Sequence, residues 1–352
     1  MHRIPSIRRH GLPWTVIPLV ALCLLAAITS AAQAYIWATD APATVPAGLT
    51  FVPTGTYQTR FEAWGPRTGR PVVLVHGAFE SVAIWQPVAA QLSRSVHVEA
   101  YDLEGYGYSD HVGPYTTGSL ATQLQQFLLA RHLEHPILVG HSLGAGVIAR
   151  FVLDHPGVAS GVAFVDGDGL SATYPGSWVP GVLPDPYRTA LYRSVVRSSS
   201  LVSTIFGLAC GPGCPTLAPG ALEEVQRPFL VAGAEQALLA LSSRPIVGVT
   251  EPELSRLRAM GPPALVVFGA QDDVYLTRTP AQTAARIGAP DPVLIARCGH
   301  LSLWSHPSQV AGAIRSLLDR VELLDRVELP DRVTRSDGVQ TVQGSGASAS
   351  MP

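Results

Sequence analysis

Val139-Gly140-His141-Ser142-Leu143-Gly144-Ala145-Gly146 places a serine between two glycines, directly after a short apolar run. The apolar run, Ile137 to Val139, has the length of a buried strand, and Val147 to Leu153 has the spacing of a helix. The segment therefore predicts a strand, a tight turn at Ser142 and a helix. In such a turn the serine occupies a strained backbone position, so residues 140 and 144 must be nearly free of side chain. The N–H groups at the start of the helix would point at an oxyanion formed on Ser142.

Strands and helices alternate on both sides of this turn. The runs that read as strands are Tyr57 to Trp64 at an edge, then Pro71 to Val75, Val96 to Ala100, Val162 to Val165, Ala264 to Phe268 and Pro292 to Ala296. Strands that are apolar throughout and separated by helices predict an α/β fold, with a mostly parallel central sheet covered on both faces. Catalytic groups in such sheets gather beyond the carboxyl ends of the strands. His76, Asp102 and Ser142 all fall at such ends.

The chain divides into four segments. Its 352 residues, 47% of them hydrophobic, are enough for one large domain. We predict a signal peptide or membrane anchor over 1–38, a linker over 39–50 and the main domain over 51–318. A helical lid is inserted at about 170–261, where the alternation breaks into Pro-rich turns and amphipathic pieces. Residues 319–352 form a helical extension that ends at Pro330, followed by a disordered tail.

The N-terminal segment is a membrane-targeting element. Arg3, Arg8 and Arg9 precede an apolar segment without charge, Trp14 to Ala38. Its core has the length of a signal peptide, and Ala32-Gln33-Ala34 resembles a cleavage site, which leaves secretion open. The apolar character continues through Trp37, however, which makes the segment long enough to span a bilayer. We favour an uncleaved anchor in the cell membrane, with the basic end in the cytoplasm and the catalytic domain outside.

Cysteine usage agrees with export. Cys210 and Cys214 flank Gly-Pro-Gly, a tight loop that could bring the two sulfurs together, and a disulfide persists only in an oxidising compartment. A metal site is the alternative, but no second Cys or His pair at zinc spacing accompanies the loop. The net charge of −2 argues against a nucleic-acid partner.

Four motifs, in order along the chain, resemble those of α/β-hydrolases, and the resemblance covers about Thr50 to Leu318. The motifs are the His76-Gly77-Ala78-Phe79 turn, the Asp102-x-x-Gly105-x-Gly107-x-Ser109 loop, the Ser142 turn, and the pair formed by Gly269-Ala270-Gln271-Asp272 and Cys298-Gly299-His300. The resemblance implies an α/β-hydrolase fold with a lid. It also implies that the backbone N–H groups of Ala78 and Leu143 form the oxyanion hole and that the Asp102 loop is structural.

The same resemblance implies a catalytic triad of Ser142, Asp272 and His300, in the order typical of the fold. A serine hydroxyl is a poor nucleophile at neutral pH, so it needs a base such as His300, whose tautomer Asp272 would hold. Asp273 is an alternative acid in the same turn. Asp166 and Asp168 are further alternatives, because some relatives place the acid after the preceding strand. Neither His76 nor His141 is expected to act as the base.

These residues predict a serine hydrolase that cleaves a small-molecule ester or related acyl substrate through an acyl-enzyme, without a cofactor or metal. Carbon–carbon bond hydrolases and cofactor-free haloperoxidases or perhydrolases resemble the same layout and stay open as alternatives. A surface binding module without turnover is a third possibility. Trp178, Phe206, Phe229 and Trp304 are candidates for an acyl pocket or for lid packing. The sequence does not indicate the acyl length or the oligomeric state.

Overall fold

The computed structural model describes residues 16–171, 182–242, 244–245, 248–274 and 279–336. These residues contain one eight-stranded sheet, in the order β1-β2-β4-β3-β5-β6-β7-β8. Its strands are Thr50–Thr54 (β1), Tyr57–Trp64 (β2), Pro71–Val75 (β3), His97–Tyr101 (β4), Ile137–His141 (β5), Gly161–Val165 (β6), Ala264–Gly269 (β7) and Val293–Ile295 (β8).

Twelve α-helices lie within the same described residues. They are Val16–Ala38 (α1), Gln86–Leu92 (α2), Thr117–Arg131 (α3), Leu143–Asp154 (α4), Tyr187–Val196 (α5), Ser199–Cys210 (α6), Pro219–Gln226 (α7), Ala234–Ser242 (α8), Glu251–Met260 (α9), Pro280–Ile287 (α10), Ser302–Ser305 (α11) and Pro307–Ser336 (α12). Short 3₁₀ turns at Val82–Trp85 and Arg227–Leu230 precede α2 and follow α7.

Strands β3 to β8 pair in parallel, and only the hairpin β1-β2 is antiparallel to its neighbours. The mostly parallel sheet predicted from the apolar runs is therefore confirmed. The prediction that Tyr57–Trp64 is an edge strand is wrong, because β1 pairs along its outer side. Strand β1 contains Pro53, whose missing N–H is tolerated at a sheet edge.

Helices cover both faces of the sheet, as predicted. One core packs α3, α4 and α10 on one face, with Phe127 and Phe151 buried there. The other core packs α2 and α12 on the opposite face, around Trp85. Strands β3, β5 and β6 are buried at every position because helices cover both of their faces, which is why nearly all of their residues are apolar.

Helices α5 to α8 lie between β6 and α9 in the chain, in the region where the sequence predicts a lid. Helix α9, which the predicted lid also includes, packs against α4 and α10 beside the sheet. An ion pair of 2.7 Å joins Arg150 of α4 to Glu253 of α9. We use "the lid" below for α5 to α8.

Helix α1 is long and apolar enough to cross a membrane, and within the described residues it alone passes that test. Most of its large apolar side chains are exposed, including Leu22 and Leu24. Its length, composition and position suit either an anchor or a signal peptide. Its last turns contact α5 of the lid.

The helical extension over residues 319 onward is present as the second half of α12. The prediction that it ends at Pro330 is wrong, because α12 continues to Ser336. A proline removes one backbone donor and kinks a helix, but the residues around it keep their own hydrogen bonds. The predicted disordered tail, 337–352, lies outside the described residues.

Candidate active site

Ser142 stands in the turn between β5 and α4, with φ 49° and ψ −116°. A Cβ on Gly140 would come within 2.4 Å of the Gly144 carbonyl carbon, and one on Gly144 within 2.3 Å of the Val75 oxygen. Side chains at both positions are therefore excluded by backbone, as predicted. The strained turn projects Ser142 beyond the carboxyl edge of the sheet.

The structure brings together three of the predicted site residues. The Nε2 atom of His300 lies 3.0 Å from the Oγ atom of Ser142, and its Nδ1 atom lies 2.8 Å from Oδ2 of Asp272. Both distances are those of hydrogen bonds. Asp272 follows β7 and also accepts a 3.0 Å bond from the backbone N–H of Val274, whereas Asp273 is exposed. His300 follows β8, so the three side chains arrive from three different strand ends.

The backbone of the His300 turn is held by the end of helix α6. The N–H of His300 donates to the Ala209 carbonyl at 2.7 Å, and the N–H of Gly299 donates to the Cys210 carbonyl at 3.0 Å. Cys210 forms a disulfide with Cys214, as predicted, with a Cα–Cα distance of 5.3 Å. The disulfide therefore closes a loop at the point where the lid supports the histidine.

The turn that contains Ala78 packs against the serine. A Cβ on Gly77 would lie 2.9 Å from the Cβ of Ser142, so only glycine allows this approach. Ala78 comes next and borders the cavity described below, and Leu143 is the first residue of α4. Their backbone N–H groups thus belong to the Ala78 turn, which packs against Ser142, and to the Ser142 turn itself.

A buried ion pair connects these two turns. His141 places Nδ1 2.9 Å from the Glu80 carboxylate and Nε2 2.9 Å from the carbonyl oxygen of His300. A backbone carbonyl and an ionised carboxylate both accept hydrogen bonds, so with Glu80 ionised both ring nitrogens carry hydrogen and the imidazole is charged. The same Glu80 oxygen accepts the Gly77 N–H at 2.6 Å. The pair therefore joins the Ala78 turn, the Ser142 turn and the His300 turn.

Electrostatics agree with this assignment. Burial alone would lower the pKa of His141, but the Glu80 carboxylate and its hydrogen bond outweigh burial and raise it to about 9. Burial alone would raise the pKa of Glu80, and charged His141 instead holds it below its ordinary value. No local sequence pattern marks Glu80, because its partner lies 61 residues further along the chain.

The other carboxylates and histidines named from the sequence have structural partners. Asp166 accepts bonds from the N–H groups of Gly269 and Ser302, at 2.7 and 3.0 Å, and burial raises its pKa to about 6. Asp168 accepts the Leu170 N–H at 3.0 Å. It is Asp272, and not Asp166, that meets Nδ1 of His300.

His76 and Asp102 stabilise the loop after β4. The Nε2 atom of His76 accepts the Leu103 N–H at 2.9 Å, so that nitrogen carries no proton, and burial lowers the pKa of the ring. Asp102 accepts the N–H groups of Val82 and Tyr108, at 2.6 and 2.8 Å. These bonds explain why Asp102 stands at a strand end without reaching His300.

A cavity of 490 Å³ leads from the lid to the histidine. It is bordered by Ala78 and His300 on the sheet side, and by apolar lid residues that include Leu191, Tyr192, Val195, Val202, Ile205, Phe206 and Phe229. Its size suits a small-molecule ligand, and its walls suit an apolar one. Of the aromatic candidates, Phe206 and Phe229 line the cavity, Trp304 packs on Phe206 with ring centroids 5.5 Å apart, and Trp178 lies outside the described residues.

The sequence of residues 72–313 matches the Alpha/beta hydrolase family. This chain belongs to that family. Its hydrolase class follows from the family, and the fold predicted from the four motifs is confirmed.

Curated relatives match only part of the chain. An uncharacterized protein of Mycobacterium tuberculosis strain H37Rv is 30% identical over 127 residues, which is 36% of this chain and 37% of that protein. RutD of Escherichia coli O157:H7, a carbamate hydrolase by name, is 36% identical over 98 residues, or 27% of this chain and 37% of RutD. The chain thus matches little more than a third of the length of these relatives.

Solved structures share the fold over most of the chain. A protein described as a lipase, from Acinetobacter baumannii AYE, has a TM-score of 0.65 at 20% identity and covers 84% of this chain and 96% of its own. A membrane phospholipase A has a TM-score of 0.61 at 22% identity, with coverage of 88% and 94%. An esterase from Thermogutta terrifontis has a TM-score of 0.60 at 24% identity, with coverage of 78% and 99%.

Proposed function

We propose that this hydrolase cleaves carboxylic esters through an acyl-enzyme formed on Ser142. The observation that supports the proposal most strongly is the continuous run of hydrogen-bond distances from Ser142 through His300 to Asp272, 3.0 and 2.8 Å. In that arrangement His300 accepts the proton of the serine hydroxyl while the oxygen attacks the acyl carbon. Asp272 accepts the Nδ1 hydrogen, so the lone pair of Nε2 points at Ser142 and acts as the base.

The charge that develops on the acyl oxygen needs fixed donors. In the proposal, the N–H groups of Ala78 and Leu143 supply them, since the turns that carry these residues flank Ser142. His300 then returns the proton to the leaving alcohol. A water molecule, activated in the same way, releases the acid and restores Ser142. None of these steps calls for a metal or an organic cofactor.

The apolar walls of the cavity favour an acyl chain as the group that enters it. They give less support to carbon–carbon hydrolysis of a polar diketone, which uses the same three side chains. An assay with a diketone substrate separates the two reactions. A binding module without turnover would have no reason to maintain the backbone strain at Ser142.

For the location, we propose that α1 is an uncleaved anchor and that the catalytic domain lies outside the cytoplasmic membrane. The disulfide between Cys210 and Cys214 supports an oxidising compartment. The contacts between α1 and α5 support retention of the helix, because cleavage after Ala34 would remove part of that interface. N-terminal sequencing of the exported protein tests this, and a chain that starts at Tyr35 would contradict it.

The reaction is tested with nitrophenyl esters of increasing acyl length, on the full chain and its Ser142→Ala variant. We expect hydrolysis by the native chain and a loss of roughly 10⁴-fold or more in kcat for the variant. Equal rates for the two proteins would contradict a serine mechanism. Hydrolysis of the diketone alone would favour carbon–carbon cleavage.

A further inference from the structure

Helix α6 turns an apolar stripe toward solvent. Leu201, Ile205 and Leu208 are 44%, 53% and 77% exposed and recur at spacings of four and three residues, on one side of the helix. The helix Ser199–Cys210 contains no charged residue. Leu191 of α5 is 54% exposed as well. We call these four residues the lid face. A surface helix in water normally turns polar side chains outward, so this face is suited to an apolar partner.

The apolar helix α1 lies beside the lid. The Tyr187 hydroxyl at the start of α5 bonds the Thr29 hydroxyl in the middle of α1. Further along α5, Arg193 donates to the Ile36 carbonyl at 2.7 Å and pairs with Asp40 at 3.0 Å. Helix α5 therefore follows the C-terminal part of α1, from Thr29 to its end.

These contacts set the depth of α5 in a bilayer that α1 spans. From Thr29 to Ala38 a helix rises about 14 Å, close to half of a hydrocarbon core of about 30 Å. Tyr35 and Trp37, aromatic residues of the type found at membrane interfaces, lie near that end of α1. If α1 spans the bilayer, α5 lies at the level of the outer leaflet. Two charged residues, Asp185 and Arg188, lie at the start of α5. They pair with each other at 3.2 Å, so each charge has a partner at this depth.

The cavity opens on the same face. Leu191 and Ile205 border the cavity and are also half exposed, so its mouth lies between α5 and α6. Val195, Phe206 and His300 line the same cavity. An acyl chain that leaves a bilayer at this face would meet apolar side chains from the mouth to the histidine.

We propose that the lid face docks on the outer leaflet of the bilayer that holds α1, and that the substrate is an acyl-ester lipid of that leaflet. This rests on the proposed ester hydrolysis and names its substrate class. The bond that breaks joins the acyl carbon to the lipid alcohol oxygen, and the bond that forms joins that carbon to Ser142 Oγ. The serine proton leaves with the lipid alcohol, and water then releases the fatty acid.

The test compares two substrates on one protein. The full chain, including α1, is reconstituted into vesicles of phosphatidylethanolamine and phosphatidylglycerol. Fatty acid release from the vesicles is measured beside hydrolysis of soluble nitrophenyl butyrate. The variant carries Leu201→Ser and Leu208→Ser, two positions that do not border the cavity. The matched control carries Leu129→Ser and Leu323→Ser, which are 67% and 62% exposed on α3 and α12.

We expect the ratio of lipid to butyrate hydrolysis to fall at least tenfold in the lid-face variant and to stay unchanged in the control. An unchanged ratio in the lid-face variant, or no fatty acid release by a native chain that cleaves butyrate, would overturn the proposal. Failure to cleave butyrate would instead count against the proposed ester hydrolysis.

A second measurement reports docking without turnover. In a Cys23→Ala background, an environment-sensitive NBD fluorophore is attached at Leu208→Cys or, as the control, at Leu129→Cys; the remaining free thiol, Cys298, is buried. In the same vesicles we expect a blue-shifted emission from position 208 and aqueous emission from position 129. Aqueous emission from position 208 would overturn the docking, whatever the activity shows.

Discussion

The ion pair between Glu80 and His141 makes stability depend on pH in a way that one substitution removes. The pKa of His141 rises from the ordinary 6.5 to about 9 because the Glu80 carboxylate outweighs burial. A raised pKa stabilises the native state below pH 6.5, and that contribution is lost as the pH rises through about 9. A shift of this size in a fully buried group corresponds to roughly 3 kcal/mol.

Glu80→Gln keeps the size of the side chain and removes its charge. Without that negative charge the pKa of the buried His141 imidazole falls, so less of it is protonated near neutral pH. In the native chain one carboxylate oxygen accepts the hydrogens of both Gly77 N and His141 Nδ1. The amide oxygen of the variant can still face both groups, but it carries no negative charge. We expect the native chain to exceed the variant in the free energy of unfolding by roughly 3 kcal/mol at pH 6 and by much less at pH 10.

Urea unfolding of the detergent-solubilised chain at pH 6, 8 and 10 measures this difference. The chain contains no lysine, and the histidines and tyrosines that titrate in this range are the same in both proteins, so their contributions cancel in the difference. Glu235→Gln is the matched control, because Glu235 pairs at 2.6 Å with Arg193, a guanidinium that stays charged throughout this pH range. A difference between native chain and Glu80→Gln that is the same at pH 6 and pH 10 would refute a charged His141.

Three further predictions concern the candidate site and its support. Asp272→Asn should lower kcat for nitrophenyl butyrate by about 10⁴-fold with little change in KM, because His300 loses the partner that sets its tautomer. The variant of the exposed neighbour, Asp273→Asn, should keep kcat within twofold of the native chain. A larger loss in that variant would identify Asp273 as the acid. Across the nitrophenyl ester series, kcat/KM should rise about fourfold per methylene until the cavity is full, since each buried methylene contributes ~0.8 kcal/mol; a flat series would show that the acyl chain stays outside. Replacing both Cys210 and Cys214 by serine should lower the free energy of unfolding by about 2 kcal/mol, because the disulfide no longer restricts the unfolded chain. It should also lower kcat, since the loop adjoins the backbone hydrogen bonds that hold His300. A stable variant with native kcat would show that the loop does not support the histidine.

The sequence predicts the centre of the fold well because its constraints are local. Close approach of backbone at positions 140 and 144 admits only glycine, so the Ser142 turn is visible in five residues. Apolar strands with no polar face predict a covered parallel sheet. The spacing from Gly269 to Asp272, and the position of His300 after the last strand, place the acid and base candidates at the correct edge.

Features made by distant partners could not be predicted in this way. In the sequence Glu80 has the pattern of an ordinary polar residue in a turn, because its partner His141 is distant along the chain and contacts it only in the fold. Strand β1 is absent from the predicted strands because it is a short run that contains Pro53, and its pairing with β2 becomes visible only in the fold. The cavity depends on the positions of α5 and α6 over His300. Amphipathic spacing predicts that a helix has an apolar face, but it does not specify which residues that face contacts.

The most direct test of the central claim, that Ser142 is the nucleophile and is activated by His300, is labelling with an activated phosphonate followed by mass spectrometry of the digested chain. We predict one adduct per chain, on the peptide that contains Ser142, formed at a rate that falls at least 10³-fold in His300→Ala. The Ser302→Ala variant, which removes a buried hydroxyl near His300, should label at the native rate. An adduct on another residue, or none on a folded chain, would contradict the account.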